Sequence, residues 1–235
     1  MIYRSDGFCF HHARNENDTY FLLHCKLEIR RSLYRKALIK DIWLKVRYSM
    51  ELLGMGNSTM LFLLTMRDME DGEVLASTIV KMIKVDMVTR KSSSFSAPFL
   101  TKYAPFANQG NGLLPTYRPL VAPVNSFRHQ FLIRPSDTDF NGHTGNHVYA
   151  RMCLDCAHFA SKDGYFKKFS ADFDQPRRVE RFFGKECREN DVVDVLVWED
   201  GDAMDLLHFQ LRKGTDLLCS MDVDFYFPEA GKSKL

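Results

Sequence analysis

Between Arg134 and Tyr149 the chain packs Asp137, Asp139, Asn141, His143, Asn146 and His147 into a few residues just ahead of an amphipathic segment. A carboxylate there can attack a polarised carbonyl or activate water, and an imidazole with an ordinary pKa near ~6.5 can carry the proton. The unpaired N–H groups and positive end of a helix can stabilise an oxyanion developing on that carbonyl. Acyl transfer to water, with a thioester as the acyl donor, is the chemistry such a set suits. The same residue types also satisfy free N–H groups at helix starts, so capping alone is the alternative reading of the same segment.

The elements around this cluster are legible as periodic patterns. Phe127 to Arg134 reads as a strand, and Val148, Met152, Cys156 and Phe159 then recur at helical spacing up to a stop near Gly164. Four further strands follow at Val179–Cys187, Val192–Trp198, Met204–Arg212 and Leu217–Phe227, punctuated by Gly201 and Gly214. In the third, Leu207, Phe209 and Leu211 alternate with His208, Gln210 and Arg212, as a strand with one buried face requires. The first half repeats the tail of this order. Tyr20–Arg30 comes first, then an alternating stretch from Leu44 to Glu51, then Met60–Arg67 and Leu75–Val85 around the Asp71, Gly72 turn.

Five of the eight prolines lie between Ser92 and Ser126 and mark a linker. The expected organisation is an N-terminal incomplete repeat at 1–91, a linker at 92–126, a C-terminal repeat at 127–228 and a tail at 229–235. A helix laid on an antiparallel sheet in each repeat gives an α+β class. Little room precedes Tyr20 for a first strand and a full helix, so either the first repeat lacks its first strand and much of its helix or the sequence begins late.

Here a family resemblance becomes specific. Asp137, Asp139, Gly142, His143, Asn146 and Tyr149 match the Asp-x-Asp-x-x-Gly-His-x-x-Asn-x-x-Tyr signature of hot-dog thioesterases, with the spacing kept. Asp139, Asn141 and His143 resemble, more narrowly, the Asp-x-Asn-x-His motif of the acyl-acyl carrier protein thioesterases, which are tandem hot dogs with catalytic residues in the second repeat. Glu186 and Cys187 stand where that family has a Glu-Cys dipeptide. The resemblance implies a double hot dog that hydrolyses an acyl thioester of acyl carrier protein or coenzyme A. Asp139 would be nucleophile or general base, Asn141 would orient it or the thioester oxygen, His143 would shuttle the proton and Glu186 would position water. Gly142, Asn146 and Tyr149 would contact substrate, while Asp137 is assigned to structure.

Two departures from the family stand out: Gly145 replaces an amide at the helix entrance, and the first repeat is short. They favour a rival, a catalytically silent hot dog that binds acyl chains or assists assembly. A hot-dog enoyl hydratase is a poorer match, because Asn141, Gly142 and His143 lack that motif's proline and are one residue too short.

Thirty-two Lys and Arg against thirty Asp and Glu give a formal charge of +2 without a basic run, which argues against a nucleic-acid partner. No apolar stretch approaches the ~18 residues that span a bilayer. Six cysteines without a secretory signal point to a reducing compartment, the cytoplasm or an organelle lumen, with no targeting segment visible. No cofactor or metal is implied: His143 and His147 have a metal pair's spacing but no third ligand. Cys153 and Cys156 sit within the helix and read as small buried hydrophobes. Arg90, Lys91, Arg177 and Arg178 read as solvated strand ends, with phosphate contacts as the alternative. An incomplete first repeat exposes strand edge, so a homodimer is a further expectation.

Overall fold

The computed structural model describes residues 18–39, 44–103, 105, 107, 119–138, 142, 144–169, 173 and 175–228. The chain divides into two compact units, Met1–Tyr117 and Arg118–Leu235. Among the described residues no helix is long and apolar enough to cross a membrane.

In the second unit, β5 (Phe127–Leu132) leads through a short 3-10 turn at Pro135–Asp137 into α3 (Asn146–Lys162). Then come β6 (Pro176–Phe183), β7 (Val192–Glu199), β8 (Leu206–Lys213) and β9 (Asp216–Phe225). The strands pair antiparallel in the order β6-β9-β8-β7-β5. On β7, β8 and β9, Val193, Val195, Val197, Leu207, Phe209, Leu211, Cys219, Met221 and Val223 share one face and are almost wholly buried. Helix α3 lies on that face, since Phe159 stacks on His129 at 4.4 Å and His129 is the register partner of Val195. Its buried stripe runs through Tyr149, Met152, Cys153, Cys156, Ala157 and Ala160. Phe159, expected within the stripe, lies at its edge and is 37% exposed, whereas its neighbour Ala160 is fully buried. The opposite face of β8 is polar yet covered: the Gln210 amide donates to the Leu120 carbonyl, so the segment leading into β5 crosses it.

The first unit contains β1 (Asp18–Ile29), α1 (Arg31–Ile39), β2 (Val46–Met55), β3 (Thr59–Asp68), β4 (Val74–Asp86) and α2 (Ala97–Tyr103), with strand order β2-β3-β4-β1. By their pairing these four strands correspond to β6 through β9. Both hairpins carry a register shift at the same place, after Met66 in one and Leu211 in the other. Superposing those shifts sets Phe62 and Leu64 on Leu207 and Phe209. Among the described residues there is no counterpart of β5 or α3.

Two helices were not expected. Lys36 on α1 reaches Asp68 at 2.7 Å, Asp71 at 2.6 Å and Glu73 at 3.0 Å, which ties the helix to the β3–β4 turn. The second helix, α2, falls inside the stretch read as linker. Pro98 sits in its first turn, where a missing N–H costs nothing, and Ser96 precedes it, its hydroxyl accepting from the Phe99 N–H at 3.4 Å. Phe99 and Tyr103, one turn apart, are buried with Phe95 against Met60 and Phe62 of β3. A helix that follows the sheet thus covers the face that α3, which precedes the strands, covers in the other unit.

Candidate active site

The segment between the 3-10 turn and α3 is held at both ends. Asp137 is nearly buried; its carboxylate accepts the Arg134 N–H at 3.0 Å and the Arg151 guanidinium at 2.7 Å. These bonds are the structural role expected of it. Thr138 and Thr144 form an isolated antiparallel bridge, and the Gly145 N–H donates to the Asp137 carbonyl at 3.0 Å. Thr138 and Thr144 therefore lie side by side at the entrance to α3. Asp139, Asn141 and His143, three of the four expected catalytic residues, lie outside the described residues. Gly142 between them has φ +72°, a left-handed conformation open to glycine at little cost.

The fourth, Glu186, reaches this entrance through its neighbour. The Thr144 N–H donates to the Cys187 carbonyl at 3.2 Å, and the Thr144 hydroxyl donates to the same carbonyl at 3.1 Å. The Cys187 thiol donates back to the Thr144 hydroxyl at 3.1 Å, and the Tyr149 hydroxyl lies 3.3 Å from the sulfur. Burial pushes both the Tyr149 phenol and the Cys187 thiol upward, so both stay protonated and serve as fixed hydrogen-bonding groups. Glu186 itself is exposed. The chain arrives there by a close crossing: Gly184 and Lys185 donate to the carbonyls of Leu218 and Leu217 at 2.8 and 3.0 Å. A side chain at Gly184 would collide with the Leu217 carbonyl.

Of the residues expected to bind substrate, Asn146 is exposed as the first residue of α3, and Tyr149 is buried, its hydroxyl turned to Cys187. The N-cap of α3 is Gly145, which supplies no side-chain cap. Side-chain capping is thus not made from that position. A Cβ on Gly145 would stand 2.7 Å from the His147 ring, which occupies the space. Cys153 and Cys156 are fully buried, and burial raises both thiols, Cys156 to about 12. Arg177 pairs with Asp205 at 3.2 Å and Arg178 with Asp224 at 2.7 Å, so both charges are compensated at the strand end.

No model of a known protein family matches the sequence, and no curated protein matches it. Solved structures do. The 12:0-ACP thioesterase from Umbellularia californica aligns with TM-score 0.68 at 13% identity, over 89% of this chain and 75% of that one. A protein described as an oleoyl thioesterase from Lactobacillus plantarum gives 0.67 at 15%, over 91% and 78%. An acyl-ACP thioesterase from Bacteroides thetaiotaomicron gives 0.64 at 17%, over 89% and 77%.

The fold is a double hot dog. At such identities the likeness speaks for architecture, and the chemistry has to be argued from the site. Within this double hot dog, Glu186 was singled out in the sequence by its place beside a cysteine, while the bonds of that cysteine were not foreseen. Thr144, which receives it, carried no signal of its own, because the two are 43 positions apart.

Proposed function

We propose that this chain hydrolyses acyl thioesters, releasing a fatty acid and the thiol of an acyl carrier protein or coenzyme A. The observation that carries the reading is the double tether at the entrance of α3. The bridge between Thr138 and Thr144 joins the two residues that flank 139–143 in sequence, and the Thr144 to Cys187 bonds tie the residue after Glu186 to the same point. Such preorganisation is what a group acting on a carbonyl needs.

In this reading the thioester carbonyl carbon is attacked either by water deprotonated by Asp139 or by the Asp139 carboxylate itself. His143 delivers a proton to the departing thiolate, and Asn141 orients the carboxylate or the oxyanion. Glu186 holds the water. Gly142 and Asn146 shape the substrate's approach, and Tyr149, buried against Cys187, supports that wall instead of meeting substrate as its place in the motif implied. The silent acyl-binding reading has one observation in its favour, the N-cap Gly145 of α3, which supplies no side chain at the helix entrance.

Thiol release from a panel of acyl-CoA and acyl-carrier-protein thioesters tests both. Asp139→Ala, His143→Ala and Glu186→Ala, each verified as folded, are expected to lose ~100-fold or more of kcat for an acid–base role. In single-turnover hydrolysis in ¹⁸O water, label in the Asp139 carboxylate identifies it as the nucleophile, water having opened the acyl anhydride at the Asp139 carbonyl. No release by folded wild-type protein across the panel rejects hydrolysis and leaves acyl binding as the function.

A further inference from the structure

Strand β2 ends the sheet of the first unit: among the described residues no strand pairs with it on the side away from β3. Its middle is exposed at every position from Arg47 to Glu51, including Tyr48 at 60% and Met50 at 45%. An unpaired strand of this length, with exposed apolar side chains and no proline, is a template for another strand. The order of its side chains says which one.

We propose that β2 pairs antiparallel with β2 of a second copy of this chain, across a two-fold axis at Ser49. A closed dimer requires self-complementarity, each residue meeting its partner twice. Centred on Ser49, Arg47 of one copy lies opposite Glu51 of the other, Tyr48 opposite Met50, and Val46 opposite Leu52. Each of these pairs occurs twice by symmetry. Opposite charges meet on one face and apolar side chains on the other, the pairings that stabilise adjacent antiparallel strands. Moving the centre one residue either way sets Arg47 against Ser49 or Leu53 and loses both charge pairs. The register with β3, Met50 to Leu64 and Leu52 to Phe62, puts Tyr48 and Met50 on the face of β3 that α2 covers further along. Dimerisation extends this apolar face across the axis.

The test is sedimentation of wild type, Arg47→Glu, Glu51→Arg and the doubly reversed variant. Wild type is expected at twice 27.3 kDa. Each single reversal sets two pairs of like charges opposite each other and is expected to weaken self-association about tenfold. The double reversal restores it, which a general loss of folding would not do. Ser49→Cys is expected to form an intermolecular disulfide under mild oxidation, since the two Cβ atoms meet at ~4.5–5.5 Å. A wild-type monomer of 27.3 kDa at all concentrations rejects the proposal. So does a dimer that neither reversal weakens. Hydrogen-exchange protection of the β2 amides in a monomer would assign the edge to another segment of the same chain.

Discussion

Replacing His208 by glutamine should remove a pH dependence of stability that the wild-type protein shows near neutrality. The ring is 5% exposed, with Nδ1 2.8 Å from the Asp222 carboxylate, Nε2 3.0 Å from the Asp200 carboxylate, and Trp198 stacked on it at 5.5 Å. Burial works against a charge on the ring, and the hydrogen bonds of Asp222 and Asp200 outweigh it, raising the His208 pKa above its ordinary value. A raised histidine contributes stability that is complete below the unfolded pKa of ~6.5 and is lost as pH rises through the folded one. Two charge-assisted bonds would give several kcal/mol if dry. The carboxylate side chains are 20% and 29% exposed, and solvent screening brings the expected contribution to about 1–2 kcal/mol. Urea unfolding followed by tryptophan fluorescence at pH 5.5 and 8.5, comparing wild type with His208→Gln, reads it directly. The stability gap between the two proteins should be larger at pH 5.5 by about that amount. A gap of equal size at both pH values refutes the charged-histidine account and leaves only packing. Asp200 supplies the opposite sign at low pH. The His208 hydrogen bond, aided by the N–H groups of Asp202 and Ala203, lowers it to about 2. Its contribution is present above the unfolded pKa of ~3.9 and disappears as pH falls through the folded value.

Two further outcomes concern the tether and the first unit. Thr144→Val keeps the shape but removes the hydroxyl that bonds the Cys187 carbonyl and thiol, leaving a buried acceptor and donor short of partners. A loss of about 1–3 kcal/mol in chemical denaturation is expected, with faster amide exchange at Gly145, and an unchanged exchange rate would count against the tether. Phe99→Ala empties a 4%-exposed position between Phe95 and Tyr103, at 4.9 and 4.7 Å between ring centroids. It should cost about 3–5 kcal/mol, measured as a lower denaturation midpoint, whereas a cost under about 1 kcal/mol would mean that α2 is not part of the core.

The strands were legible because alternation reports a half-buried sheet directly: Leu207, Phe209 and Leu211 lie on the face covered by α3, as their spacing implied. The helix α3 was legible for the same reason, with Phe159 misplaced because periodicity weighs an aromatic ring above an alanine. The two short helices were not. In α1 the informative residue is Lys36, whose partners Asp68, Asp71 and Glu73 are remote in sequence. In α2 the prolines read as punctuation, although Ser96 before Pro98 and the Phe99, Tyr103 pair was the local signal of a helix start with one apolar face. At the site, residue types and spacing singled out the segment 137–149. The contact of Cys187 with Thr144 and Tyr149 is a product of the fold, and no neighbouring residue announces it.

The position of α2 after the strands has a consequence during synthesis. The first unit cannot close its core when β4 is complete, because Phe95, Phe99 and Tyr103, which cover Met60 and Phe62, are still to be made. At ~5–20 residues per second the face of β3 stays bare for roughly 2–8 s after Phe62 is added. A chain ended at residue 91, the boundary that the proline pattern suggests, would keep that face bare permanently. Expression of the first unit alone therefore has to run past Tyr103 to give a protein that stays in solution.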